Sequence, residues 1–176
     1  MPIRSRAEYI EYLQADLRAS RVDRWRIHYR WKYPILHWQR GLRRAEYYTN
    51  CSRTIAGRSY AKVLRFLTRS RGMRLGFTIP TNVFGPGLFV PHWGTIVINN
   101  NARVGANCRI HPSTCIGEVH GGTPVIGNDA YIGPGAKLYG DIVLGDFVRV
   151  GANAVVGRSF PEGHVTLVGS PAHPTS

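Results

Sequence analysis

Residues 126–161 read IGNDAY, IGPGAK, LYGDIV, LGDFVR, VGANAV and VGRSFP, six consecutive sixes that open on an aliphatic residue. Extending the count toward the N-terminus gives VGANCR at 104–109, IHPSTC at 110–115 and an enlarged unit, IGEVHGGTPV, at 116–125. The aliphatic lead therefore falls at 104, 110, 116, 126, 132, 138, 144, 150 and 156, and glycine follows it in seven of these nine units. An amphipathic helix repeats its apolar positions every ~3.6 residues and a half-buried strand every ~2, so neither makes a period of six. A β-sandwich spaces its turn signals about 8–12 residues apart, again too far. One inward aliphatic per six residues, with a turn former beside it, describes short strands joined by tight corners. Three such strands make one coil of about eighteen residues in a parallel β-helix. Each coil buries its leads only against its neighbours, so the repeats hold as a stack.

The chain ahead of this repeat is a different material. Residues 1–80 hold 18 Lys and Arg against 5 Asp and Glu, whereas residues 81–176 hold 5 against 5, so the net charge of +13 lies entirely in the first part. The reading divides the chain into a basic α-helical region, 1–78, and a β-helix, 79–176. Ser5-Arg6-Ala7-Glu8 has the form of a capping box, opening a helix with Ile10, Leu13 and Leu17 as its apolar positions. Pro34 suits the first turn of a second helix that runs to about Tyr48. A third helix, from about Arg58 to Arg69, places Tyr60, Val63, Leu64 and Leu67 on one face and Arg58, Lys62, Arg65 and Arg69 on the opposite one. The apolar stripe is expected to pack on the β-helix and leave the basic stripe solvated. The competing reading sets the basic stripe against an anionic membrane surface, or against the phosphates of a lipid-linked or nucleotide-linked acceptor. No recognition motif accompanies the charge, so no nucleic-acid partner is expected.

Hydrophobic residues make up 43% of the 176 and aromatics 11%, enough to bury a core. Arg4 and Arg6 are followed by Glu8, Glu11 and Asp16 without an apolar run, so no secretory signal is read and a cytoplasmic location is expected. The uncharged span between Arg74 and Arg103 is broken by Pro80, Pro86, Pro91 and Asn99 to Asn101, too often for a spanning helix. Cys51, Cys108 and Cys115 lack Cys-x-x-Cys spacing and read as buried thiols, with neither a disulfide framework nor a metal site.

One residue breaks the hexad rule. Counting back in sixes from Ile110 through Val104 and Ile98 lands on His92, a histidine in a slot that the later units fill with aliphatics. Together with GPGLFVPHWGTIVI (85–98), NCRIHP (107–112), YIGPGAKLYGDI (131–142), VGANAVV (150–156) and VGSPA (168–172), it resembles the left-handed β-helix hexapeptide acyltransferases. The likeness is to their serine acetyltransferase-like branch, as found in bacterial polysaccharide O-acetyltransferases. That resemblance implies a homotrimer of prisms, acetyl-CoA as donor with no metal, and active sites in clefts between neighbouring prisms. It also implies that His92 is the general base that takes the proton from an acceptor hydroxyl. Imidazole, with an ordinary pKa near 6.5, is neutral and basic enough for that task at neutral pH.

The remaining candidates follow from the same resemblance. His120, in the enlarged loop, is the candidate second catalytic histidine, and Trp93 and His111 are the candidate acceptor-binding side chains. In relatives, the pantetheine arm of CoA runs beside the small residues after the lead, which map onto Gly133, Pro134, Gly151 and Ala152, with Arg158 toward the nucleotide. Two departures bear on the acceptor. The serine enzymes carry an acidic residue just before the first histidine, and a second histidine three residues before the lead that follows their enlarged loop. Pro91 and Thr123 stand there in this chain. The expected acceptor is therefore a sugar hydroxyl of a bacterial surface polysaccharide or its precursor. Serine O-acetylation is the alternative, and a catalytically silent β-helix that serves binding or assembly is the third reading. The helical region is shorter than the domain that pairs two trimers in serine acetyltransferases, so a plain trimer is expected.

Overall fold

The computed structural model describes residues 2–175. Four helices come first: α1 (Arg6–Ala19), α2 (Tyr29–Lys32), α3 (Pro34–Cys51) and α4 (Ile55–Leu75). Thirteen short strands follow and form the three faces of a prism. The first face is β1 (Phe77–Thr78), β2 (Ile96–Ile98), β5 (Thr114–Gly117), β8 (Lys137–Tyr139) and β11 (Val155–Val156). The second is β3 (Arg103–Val104), β6 (Val125–Ile126) and β9 (Val143–Leu144). The third is β4 (Arg109–Ile110), β7 (Tyr131–Ile132), β10 (Arg149–Val150) and β12 (Thr166–Val168), closed by β13 (His173–Pro174), the one antiparallel strand among those described. The result is a left-handed parallel β-helix of about five turns with a helical region at its N-terminal end.

The register repeats the hexad arithmetic. Ile98 pairs with Ile116, Ile126 with Leu144 and Ile132 with Val150, each eighteen residues on. Val104 pairs with Ile126 and Ile110 with Ile132, twenty-two residues on, because the enlarged unit adds four residues to that coil. All nine leads are at most 3% exposed and form one continuous column of core with Ile98 and Leu167. Burial of one such aliphatic side chain is worth about 1.5–3 kcal/mol, so the column outweighs any single corner. The corners have a rule of their own. The residue three after a lead takes a left-handed backbone at Asn107, Ser113, Asp129, Gly135, Phe147 and Asn153. That conformation favours Gly, Asn and Asp, so four of these corner identities follow from the backbone, with Ser113 and Phe147 the exceptions.

The helices pack differently from their apolar patterns. Ser5 caps α1 by accepting from the Glu8 amide at 3.1 Å, as the capping box predicts, but the Glu8 carboxylate accepts from the Arg4 amide instead of the Ser5 amide. α1 buries Tyr12, Ala15, Asp16 and Leu17 and leaves Ile10 44% exposed. The cause is a buried ion cluster that turns Asp16 inward. Arg43 on α3 donates from Nε to Asp16 at 2.9 Å and from Nη1 to Glu46 at 3.0 Å, and its remaining donors reach the carbonyls of Phe84 and Gly85. Asp16 accepts in turn from the amides of Gly87 and Leu88, and Glu46 from that of Asn82. Burial works against the Arg43 charge, but the two carboxylates hold its pKa above the ordinary arginine value.

α4 is longer than expected, starting at the Thr54 cap and ending at Gly76 in the left-handed conformation. Its expected apolar stripe does not pack on the prism. Tyr60, Val63 and Leu67 are 36–52% exposed, and the buried row is Ala61, Leu64, Thr68 and Gly72, laid against α3. Small residues decide this face. A Cβ at Gly72 would stand 3.0 Å from Trp38 Nε1, and that indole donates to the Thr68 carbonyl at 3.2 Å. Among the described residues no helix is long and apolar enough to cross a membrane. The thiols are free: Cys108 is buried, which pushes it up to about 12, and Cys51 and Cys115 are half-buried.

Candidate active site

The hexad period sends corresponding residues of successive coils to the same edge of the prism. Phe89 bridges Arg109 on the third face and β2 opens on the first face at Ile96, so the turn at 90–95 is the third-to-first edge of its coil. The same edge is formed in later coils by 111–113, 133–136 and 151–154. His92, Trp93, His111, Gly133, Pro134, Gly151 and Ala152 therefore fall along one edge, in line with the prism axis. The His92 turn is held from behind by the end of α4. Gly94 N–H donates to the Leu75 carbonyl at 2.9 Å and Ile96 N–H to the Gly76 carbonyl at 3.0 Å. A Cβ at Gly76 would stand 2.7 Å from the Gly94 backbone, so only glycine allows that approach.

His92 is exposed, and its ring centre lies 6.4 Å from that of His111. Among the described residues its ring has no hydrogen-bond partner. His111, by contrast, is fixed. Arg109 Nε donates to its Nε2 at 3.1 Å, so the ring carries its proton on Nδ1, and its other face meets Tyr131 at 5.2 Å. The Arg109 guanidinium lies over Phe89 and Tyr131, and Arg149 lies over Tyr131 from the next coil. Arg109, Tyr131 and Arg149 are register partners on the third face. Arg109 was not singled out from the sequence, although its place one residue before a lead, in column with Tyr131 and Arg149, is legible there.

Burial, and then the Arg109 and His92 charges, lower the His111 pKa below 6.5. The unfolded chain therefore binds this proton more readily, and the stability linked to His111 is present above about pH 6.5 and lost as pH falls through the lowered value. NMR titration of the His111 ring is expected to give a midpoint below that of a free histidine, and Arg109→Ala is expected to raise it. A midpoint at or above the free value contradicts the arrangement.

The other candidates lie as follows. Trp93 is 69% exposed beside His92. Gly133 is buried, and a Cβ there would stand 2.8 Å from the Val150 carbonyl, so coil stacking alone requires that glycine. Pro134 and Ala152 are exposed and small, which keeps the edge low enough for an extended ligand to lie along it. His120 and Arg158 stand elsewhere. His120 is exposed at the tip of a loop closed by mutual backbone hydrogen bonds between Val119 and Gly122, and Arg158 lies over the Phe160 ring. Both belong to the first-to-second edge, so within one chain neither joins the His92 cluster.

Residues 123–158 match the family described as Bacterial transferase hexapeptide (six repeats). This part of the chain carries the bacterial transferase hexapeptide repeat. Among hexapeptide-repeat proteins the chain is similar to the serine acetyltransferase of Staphylococcus aureus, with 30% identity over 128 residues, 70% of this chain and 57% of that one. It thus spans less than two thirds of the length of the curated relatives it matches. Its fold is similar to that of a serine acetyltransferase from Brucella abortus strain S19, at TM-score 0.68 and 25% identity, over 97% of this chain and 70% of that one. A hexapeptide-repeat serine O-acetyltransferase from Brucella melitensis aligns at TM-score 0.70 and 27% identity, over 96% and 68%.

Proposed function

We propose that this hexapeptide-repeat chain is an acetyl-CoA-dependent O-acetyltransferase of the serine acetyltransferase type, with His92 as general base. The observation that carries the reading is His92 itself: exposed, without a hydrogen-bond partner among the described residues, and in line with the small residues of one prism edge. The His92 imidazole takes the proton of the acceptor hydroxyl as its oxygen attacks the thioester carbonyl. The tetrahedral intermediate then expels sulfur, the carbon–sulfur bond breaks, and the imidazolium returns its proton to the CoA thiolate. The products are an O-acetyl ester and CoA. His111, held neutral by burial and by Arg109, adds no positive charge beside a base that must accept a proton. Acetyl-CoA supplies the activated acetyl group along Gly133, Pro134, Gly151 and Ala152.

A homotrimer with active sites between subunits fits the two separated edges. A second prism laid against the first would bring the first-to-second edge, with His120 and Arg158, to the edge that carries His92. The similar proteins are serine acetyltransferases, which reverses the order expected for the acceptor and puts serine first. A sugar hydroxyl of a surface polysaccharide or its precursor stands second, supported by Pro91 and Thr123 where the serine enzymes carry an acid and a histidine. CoA release followed against rising serine, simple sugars and glycan fragments decides between them. Serine is expected to saturate with the higher kcat/KM. A sugar or glycan fragment that outruns serine reverses the order again.

A further inference from the structure

α4 and the segment 77–81 enclose a groove of about 610 Å3 at the N-terminal end of the prism. Its floor is apolar, made by Trp38, Leu42, Phe77 and Ile79. Its rim is cationic, made by Lys62, Arg65 and Arg69, with Phe66 and Met73 standing 71% and 61% exposed beside them. These cations are unmatched. Between Glu46 and Glu118 the sequence has no carboxylate side chain, and the ion pairs among the described residues are those of Arg43 with Asp16 and Glu46. Solvated cations need no groove, and a buried apolar floor does not need cations. A volume in the range of small-molecule sites that combines the two fits a ligand with an anionic head and an apolar tail.

We infer that this groove binds a single phosphate-bearing amphiphile, with its phosphate at Lys62, Arg65 and Arg69 and its chain on the Trp38–Phe77 floor. The groove is coupled to the candidate active edge. Gly72 and Met73 line it, and three residues on, the end of α4 accepts the hydrogen bonds that hold the His92 turn. A bound amphiphile would therefore sit one helix end away from that edge. As a binding site the groove does not rest on the acyl-transfer reading; as the site of a lipid-linked acceptor's carrier it does.

The test is calorimetric titration of the full chain, without acyl donor, with dihexanoyl phosphatidic acid, dihexanoyl phosphatidylcholine and inorganic phosphate, all as monomers. The phosphatidic acid is expected to bind saturably, one per chain, at least tenfold tighter than either of the others. Arg65→Glu with Arg69→Glu is expected to weaken it at least tenfold, and Met73→Asp, which puts a carboxylate on the rim of the groove, is expected to weaken it as well. Both variants alter exposed positions, and circular dichroism checks that they fold. Inorganic phosphate binding as tightly as the lipid would reduce the site to bare charge and overturn the inference. So would phosphatidylcholine binding as tightly, absence of lipid binding, or binding that the charge reversal leaves unchanged. Since no acetyl-CoA is present, and His92→Asn is expected to bind the lipid like the parent, failure here is separate from failure of the acyl-transfer reading.

Discussion

Replacing His92 with Asn is expected to lower acetyl transfer by about 10² or more while leaving the fold and thermal unfolding unchanged, because general-base assistance is typically worth about 10²–10⁴. Asn keeps the approximate size and polarity of the ring but cannot take up a proton near neutral pH. The side chain is exposed, and its turn is held by backbone hydrogen bonds from Gly94 and Ile96 to the end of α4, so the substitution removes no packing. The loss is expected in kcat more than in KM, since the base acts on the transition state and not on binding of the donor. A well-folded His92→Asn protein that keeps full turnover removes His92 from the chemistry.

The largest expected effect on stability lies far from that edge. Arg43→Met should destabilise the fold by about 3–5 kcal/mol, the usual cost of breaking a buried ion pair by removing one partner. Arg43 is fully buried, and its loss strands the carboxylates of Asp16 and Glu46 and the carbonyls of Phe84 and Gly85. For a chain of this size the fall in Tm is on the order of 10 °C. Arg58→Ala, which removes an exposed cation of α4, is the control and should change stability by no more than about 0.5 kcal/mol. Replacing Arg43, Asp16 and Glu46 together with apolar residues should not recover the loss. Asp16 also accepts from the Gly87 and Leu88 amides and Glu46 from the Asn82 amide, and those donors would remain buried without acceptors. A Tm for Arg43→Met within a degree of the parent contradicts this role.

The prism was legible because one side chain in six carries its core. Each lead named from the sequence is buried, and the four extra residues of the enlarged unit reappear as the change of register from eighteen to twenty-two. His92 stood out by counting sixes back from Ile98, but the place in the core column belongs to Val90, which is buried and follows the Phe89–Arg109 pair; the unit from Val90 to Ile98 is two residues longer than six, and its turn carries His92 out to the edge that also holds His111, Gly133 and Gly151. What was not legible involves polar residues turned inward. Nothing in the sequence pattern marks Asp16, Arg43 and Glu46 as buried, and only their mutual pairing makes their burial affordable, so α1 turns Asp16 inward beside Leu17 and leaves Ile10 exposed. α4 misled for the opposite reason. Tyr60, Val63 and Leu67 face outward, while Ala61, Leu64, Thr68 and Gly72 are buried and the last two lie close to Trp38, a choice that depends on the partner helix and not on α4's own pattern. His120 and Arg158 share a second edge, which a single chain does not bring to the first.

The most direct measurement is of the product. Acetyl-CoA labelled in the acetyl carbonyl is incubated with the chain and with serine or a glycan fragment, and the acceptor is examined by mass spectrometry while CoA thiol is titrated. The account predicts labelled O-acetyl ester on the acceptor in equal amount to the thiol released, abolished in step by His92→Asn. Absence of transferred label under every acceptor, or labelled ester formed equally by His92→Asn, would contradict it.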